Sequence, residues 1–511
     1  MKKLFSFKFL TNINLPLLVF LIFFLNVKFV VKVIAILFII IYSRNFKFGL
    51  SFKKSRLPLF YLLIIILEIF KYLLIVRNYS LNYALVFSMG ILQWAMCLLS
   101  IHYIKLNVDD TDTNKMHSTI KAFFTLNFIV SLCFLLILFI HPVWLTYWGH
   151  EADLTFNNTS IGDIVMGITF DTSTVNATLN SIGLIYFLYK RDYLFCLLCL
   201  ITIVLCTSNV TVILTLGILI LMIITVRQKK LRLSTMIFSI ALVVLYLFSS
   251  PKNREYMRNY FINLYVVNKN PEQKQIIDTQ VYHLKVNDSV VTIKNAVEVL
   301  PDTAYTFTGN RLEKAVGNLI SSKDLHKDDS TGFVNIPDNV YNTRPGKLIS
   351  FLQTYFYLKE SFKHLLFGSG IGNFSSKLAF RASGVRALGT YPQKFRYVSP
   401  DFKYNHLHTY LYYKNEDASK HSVLNYPFTV YNQLLGEYGL LGSILFIIYY
   451  LGYFLSRHHR LSYGRYMIIS LLGFFLMEYW FELFSLVVIF ELFIFLNIKE
   501  GRSRPDFETS S

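Results

Sequence analysis

The chain has 511 residues, 54% hydrophobic and 17% aromatic, with a mean hydropathy of +0.45 and a formal net charge of +19. That balance excludes an ordinary soluble domain, which needs more charge to cover its surface, and the apolar residues come in runs of bilayer length. The five cysteines (Cys97, Cys133, Cys196, Cys199 and Cys206) all lie in apolar runs, which excludes a disulfide framework or thiolate metal site in the long polar stretch.

The opening MKKLFSFKFL is charged like a signal peptide, but no small-residue cleavage site follows, so the first apolar run is expected to remain as a helix. Spans are expected at about 13–27, 29–43, 57–76, 82–104, 119–140, 173–189, 193–207, 209–226, 234–249, 439–456, 466–480 and 483–498. Read as one helix, 13–43 would place Asn26, Lys28 and Lys32 near its centre. A single helix over 193–226 would reach about 51 Å against a hydrocarbon core of about 30 Å, and Thr207-Ser208-Asn209 offers the turn. The CxxC of Cys196 and Cys199 then sits on a helix inside lipid, where thiols pack as small hydrophobes.

Cation placement sets the orientation. With the N-terminus inside, the cytoplasmic segments hold Lys2, Lys3 and Lys8, the 44–56 cluster, Lys105 to Lys121, Lys190 and Arg191, the 227–232 cluster, Arg457 to Arg465, and Lys499 to Arg504. The short outer loops hold only Lys28 and Arg77. The expected fold is an all-α polytopic membrane protein with about twelve transmembrane helices and one large mixed α/β outer insert. Its parts are a bundle at 1–249, the insert at 250–438, C-terminal helices at 439–498 and a cytoplasmic tail at 499–511. Much of the positive charge is topological, so nucleic acid is not an expected partner.

Along the insert, strand-like alternation runs through Gln280–Thr292 with a turn signal at Asn287-Asp288. Residues 346–366 are amphipathic and aromatic, spaced like a helix lying on the membrane or on the helix bundle. Gly368-Ser-Gly370-Ile-Gly372-Asn-Phe374 follows, then Lys377, Arg381 and Arg386, the first two four apart and so on one helical face. A glycine turn feeding a cationic helix can seat a diphosphate, with backbone N–H groups aimed at the anion; it can equally be a tight turn between helices. Downstream lie His406, His408 and His421, then Pro427 to Gly442 (PFTVYNQLLGEYGLLG), where Pro427 and Thr429 suit a helix start.

At these residues the chain resembles the O-antigen ligase and polymerase superfamily of bacterial inner-membrane glycosyltransferases. The likeness rests on Phe170 to Asn176 opening a span, Ser208 in the middle membrane region, Gly346-Lys347 about twenty residues before Gly368-x-Gly-x-Gly-Asn-Phe374, and Gln433-Leu-Leu-Gly-Glu-Tyr-Gly439-Leu-Leu-Gly442. It covers roughly residues 160 to 460. The family's ligase motif places His, then Asn, Ser or Gln, nine residues before Gly-x-x-Gly; here Phe428-Thr429 fill that slot, and His421-Ser422 stand seven positions early. Lys347 and Asn209 stand where many relatives have arginine.

The resemblance implies transfer of a glycan from undecaprenyl diphosphate to an acceptor hydroxyl, on a glycan or on lipid A–core, at the periplasmic face of the inner membrane. Cations would stabilise the departing diphosphate, so no metal or cofactor is expected. The donor-binding set is Arg344, Lys347, Gly370, Gly372, Lys377, Arg381 and Arg386. The base is sought at His421, then His406, then Glu437. Other partners would be the bilayer and other polysaccharide-assembly membrane proteins.

Two rival classes follow from other residues. A metal-dependent lipid-linked glycosyltransferase would use Glu151 and Asp153, because Asp110-Thr-Asp112 falls on the cytoplasmic side. A flippase or transporter would show internal repeats and charges along the bundle; no repeat is apparent, and Glu68 with Lys71, three apart, reads as a neutralising pair. Glu478 and Glu482 flank the outer turn of the last hairpin.

Overall fold

The computed structural model describes residues 12–42, 58–140, 165–249, 282–286, 289–293, 344–385, 391–415 and 422–502. These are predominantly helical. The helices are α1 (Leu15–Phe24), α2 (Phe29–Tyr42), α3 (Phe60–Lys71), α4 (Leu81–Asp110), α5 (Thr113–Ile140), α6 (Ser173–Lys190), α7 (Tyr193–Leu205), α8 (Asn209–Thr225) and α9 (Lys229–Ser249). Then come α10 (Gly346–Glu360), α11 (Phe362–Phe367), α12 (Lys377–Ser383), α13 (His408–Asn415), α14 (Val430–Leu445), α15 (Gly464–Phe474) and α16 (Ser485–Arg502).

Local chemistry sets several of the starts. Asn14, Ser80, Ser361, Ser376 and Thr429 each accept a backbone N–H of the first turn they precede, supplying partners for donors a helix start leaves unpaired.

The chain forms two compact units, one of Met1–Ser250 with Phe333–Ser511 and one of Pro251–Gly332. The second half of the stretch read as an outer domain therefore belongs to the same unit as the bundle. Within the smaller unit, Tyr282–Val286 pairs antiparallel with Ser289–Ile293, Tyr282 opposite Ile293 and Val286 opposite Ser289. Among the described residues this hairpin is the only β structure and the described part of the insert is otherwise mostly helical, which corrects the mixed α/β insert expected from the sequence.

Helices lie over all twelve apolar stretches, but among the described residues four are long and apolar enough to cross a membrane: Leu81–Asp110, Thr113–Leu136, Lys229–Phe248 and Val430–Leu455. The others fall short for two reasons. Helix α7, with 13 residues, and α15, with 11, measure about 20 and 17 Å, against about 30 Å of hydrocarbon. Helices α6 and α16 lose hydropathy to buried polar groups, among them Asn176, Asn180 and Ser181 on α6 and Glu491 on α16.

Helix α16 is buried from Ser485 to Ile498 and packs against α4, α6 and α15. The turn before it stays buried too, and its carbonyls are satisfied from distant elements. Phe475 O accepts Val430 N (3.0 Å) and Thr429 Oγ1 (2.9 Å), while Phe474 O accepts Trp480 Nε1 (2.6 Å). Leu483 O accepts Lys32 Nζ at 3.1 Å. Irregular backbone inside a bundle persists only when such partners exist.

Candidate functional site

The two glycine motifs meet. Helix α14 carries non-helical dihedrals at Gly439 (φ 67, ψ −166), and Gly368 holds nearly the same pair (φ 65, ψ −164). This region is essentially closed to residues with a Cβ. The kink leaves the Gly436 and Glu437 carbonyls without helical partners, and Ser369 N and Gly370 N donate to them, both at 2.9 Å. Lys71 Nζ, itself 2.5 Å from Glu68 Oε1, also donates to Glu437 O at 2.6 Å.

The amides read from sequence as a diphosphate seat bind the protein's own carboxylates. Ile371 N donates to Glu68 Oε2 (3.2 Å), Phe374 N and Ser375 N to Glu437 Oε1 (3.3 and 3.1 Å), and Leu378 N to Glu482 Oε2 (2.8 Å). Glu482 Oε1 in turn accepts Gln433 Nε2 at 2.6 Å. Hydrogen bonds of this kind contribute about 0.5–1.5 kcal/mol each. Gly370 and Gly372, both at positive φ, shape this anchor rather than a ligand cradle.

What the anchor presents is α12. Ser376 caps it, its Oγ accepting Ala379 N at 3.0 Å, and Lys377 and Arg381 follow on one face. Lys377 Nζ lies 3.4 Å from Asp171 Oδ2. Lys32, from the start of α2, is buried 5.1 Å from the Phe484 ring centroid and within electrostatic reach of Lys377, Arg381 and Asp171. Glu482 is within reach of both α12 cations. The cluster thus sets two cations, Lys377 and Arg381, beside the carboxyl groups of Asp171 and Glu482, with the buried Lys32 amine close by. Tyr391 stands beside Arg381, its hydroxyl pushed by burial up to about 12.

Asp171 is placed by a buried amide network. Asn127 Nδ2 donates to Asn176 Oδ1 (2.9 Å), Ile168 N donates to Asn127 Oδ1 (2.9 Å), and Asn176 Nδ2 donates to Ser131 Oγ and Val165 O (both 3.0 Å). Together these pin the loop that leads through Gly167 (φ +60) to Asp171. Sequence reading passed over Asp171 and used Lys32 only to divide two helices. The signal available for both was an ionisable residue at the outer end of an apolar run.

Other expected site residues take different roles. Lys347 spends its three ammonium donors on carbonyls, those of Phe428 (2.6 Å), Tyr426 (3.1 Å) and Met477 (3.5 Å), leaving none for a phosphate. Burial pushes its ammonium down to about 7, with Glu478 opposing. Arg344 is exposed, and its carbonyl accepts Tyr413 OH at 2.7 Å.

His406 is fully buried, its ring 4.7 Å from Phe374 and its Nε2 3.2 Å from Ser350 O. Burial pushes its imidazole down to about 3, which makes it a poor proton acceptor near neutrality. Phe428 packs among Phe380, Tyr410, Tyr426 and Tyr479. His421, Arg386, Glu151 and Asp153 lie outside the described residues.

Among the described residues no group of three His, Cys, Asp or Glu side chains could hold a metal ion. Compared with protein-family models, curated proteins and solved structures, the chain matches none.

Proposed function

We propose that the chain is a multi-pass protein of the bacterial inner membrane, with twelve crossings, both termini cytoplasmic and residues 250–438 periplasmic. It transfers an undecaprenyl-diphosphate-linked oligosaccharide to an acceptor sugar hydroxyl, as a surface-polysaccharide polymerase in preference to a ligase. The twelve crossings are supported by helices over every apolar stretch and by the cation asymmetry of the loops. Polymerase is preferred because Phe428, locked in an aromatic cluster, fills the position where ligases carry histidine.

The observation that carries the chemistry is the pair of α12 cations, Lys377 and Arg381, held on one helical face beside Asp171. In the transfer, the acceptor oxygen attacks the anomeric carbon of the donor sugar. The bond from that carbon to the diphosphate breaks, its electron pair leaves with the diphosphate, and the acceptor proton passes to a base. Fixed cations facing the developing charge lower that barrier. With His406 buried and Glu437 holding amides, His421 is the base of this reading.

Surface glycan on gels from cells carrying Arg381→Ala or Lys377→Ala tests it. Loss of the ladder beyond one repeat, at unchanged protein level, is expected, with partial return in Arg381→Lys. Wild-type ladders from both alanine variants would sink the reading. Retained lipid-linked polymer without transfer would turn it from polymerase to ligase.

A further inference from the structure

Helix α10 buries Ile349, Gln353 and Tyr357 against the rest of its unit, and Gln353 Nε2 donates to Asn405 O at 3.1 Å. Its other face is apolar and exposed. Leu348 (46% exposed), Tyr355 (51%) and Phe356 (38%) recur at helical spacing, and Phe362 (74%) and Leu365 (37%) on α11 continue the surface. Water does not favour such a face on a helix with so few charges.

Three observations say what covers it. The surface is continuous with helices of the bundle: Lys363 Nζ reaches Ile75 O at 3.3 Å, next to the exposed Leu73, Leu74 and Leu81 at the adjoining ends of α3 and α4. Helix α4 is itself long and apolar enough to cross a membrane. The rim carries lysines and aromatic rings, with Lys359 Nζ 4.8 Å from the Tyr355 ring centroid and Lys363 exposed, while Glu360 between them faces His364 Nδ1 at 3.4 Å. Aromatic rings beside lysines at the end of a spanning helix mark headgroup depth.

We propose that α10 and α11 lie along the outer leaflet, with the Tyr355–Phe356 and Phe362–Leu365 face in the acyl boundary and Lys359 and Lys363 against anionic phospholipid headgroups. This rests on the membrane reading and not on glycan transfer. It would place the glycine anchor, and with it α12, at the depth of a lipid headgroup.

The test uses the full chain, with its five cysteines replaced and single spin-labelled cysteines at positions 356, 362 and 394, in vesicles of phosphatidylethanolamine and phosphatidylglycerol. Labels at 356 and 362 are expected about 5–10 Å below the lipid phosphates, accessible to oxygen and shielded from a water-soluble nickel complex, with 394 open to nickel. Nickel access at 356 and 362 equal to that at 394 overturns the proposal, because the face is then in water. Shielding from both reagents also overturns it, because protein then covers the face. Unchanged depth in pure phosphatidylcholine removes the anionic-headgroup part. If the cysteine-free chain does not fold, Phe356→Trp in the otherwise unaltered protein serves instead: brominated phospholipid should quench its added emission, and an unquenched signal overturns the proposal.

Discussion

Replacing Gly439 with alanine attacks the contact between the two glycine motifs. A Cβ at this position would lie 2.5 Å from Leu366 O and 2.6 Å from Gly368 N, backbone atoms that cannot rotate away. The dihedrals add their own cost, about 1–3 kcal/mol for a residue with a side chain. Relieving the overlap by shifting α11 costs a further 1–3 kcal/mol or so and pulls Ser369 N and Gly370 N off their carbonyls. The sum is roughly 2–6 kcal/mol, enough to unfold a marginal protein.

Gly217, on α8, is the matched control, since nothing lies within 4 Å of a Cβ there. Gly217→Ala should be neutral or stabilising by up to about 1 kcal/mol, the helix-propensity gain. Apparent melting temperatures of the two purified variants in the same detergent decide the matter. A Gly439→Ala protein that melts with wild type would refute the close backbone contact, and with it the account of the anchor.

Three further expectations follow from the same geometry. Glu437→Gln keeps an oxygen for Phe374 N and Ser375 N, so it should retain most transfer activity, whereas Glu437→Ala should lower protein level; loss of activity in a stable Gln variant would restore Glu437 as the base. His406 has its folded-state pKa lowered to about 3 from 6.5, so on acidification the unfolded chain takes the proton first and stability falls as pH drops from about 6.5 toward 3. His406→Gln should flatten that part of a stability–pH curve, and an unchanged slope would show that the imidazole is not buried neutral. For sidedness, an impermeant maleimide on intact spheroplasts should label Lys394→Cys and spare Arg227→Cys, both exposed positions; the reverse pattern would invert the topology.

The positions of the helices were legible because long apolar runs separated by cations and polar turns mark them directly. The strand alternation around 282–293 was equally plain, and the hairpin forms there. Side-chain roles were not legible, because each depends on a partner far away in sequence. Lys347 read as a phosphate ligand until its bonds to Tyr426, Phe428 and Met477 accounted for all three donors. Gly368 opens a glycine-rich turn and Gly439 suits a helix end or a close helix contact, and nothing local announces that the two pack on each other. Lys377 and Arg381 were found through their four-residue spacing, yet the groups around them, Asp171 and Lys32, arrive from a distant loop and from α2.

The bond from Lys32 Nζ to Leu483 O spans 451 positions, and that separation has a consequence in time. A chain made at about 5–20 residues per second takes about 20–90 s to pass from residue 32 to residue 483. On the membrane reading proposed above, the first helical hairpin spends that interval in the bilayer with one carbonyl, Phe24 O, for the Lys32 side chain. Lys71 does not wait in this way, because Glu68 arrives before it on the same helix. On that reading vectorial synthesis leaves the Lys32 side chain half-satisfied, drawn toward the water-facing edge, until the segment that carries Leu483 enters and draws it inward, so that α16 closes the bundle around a group laid down long before it.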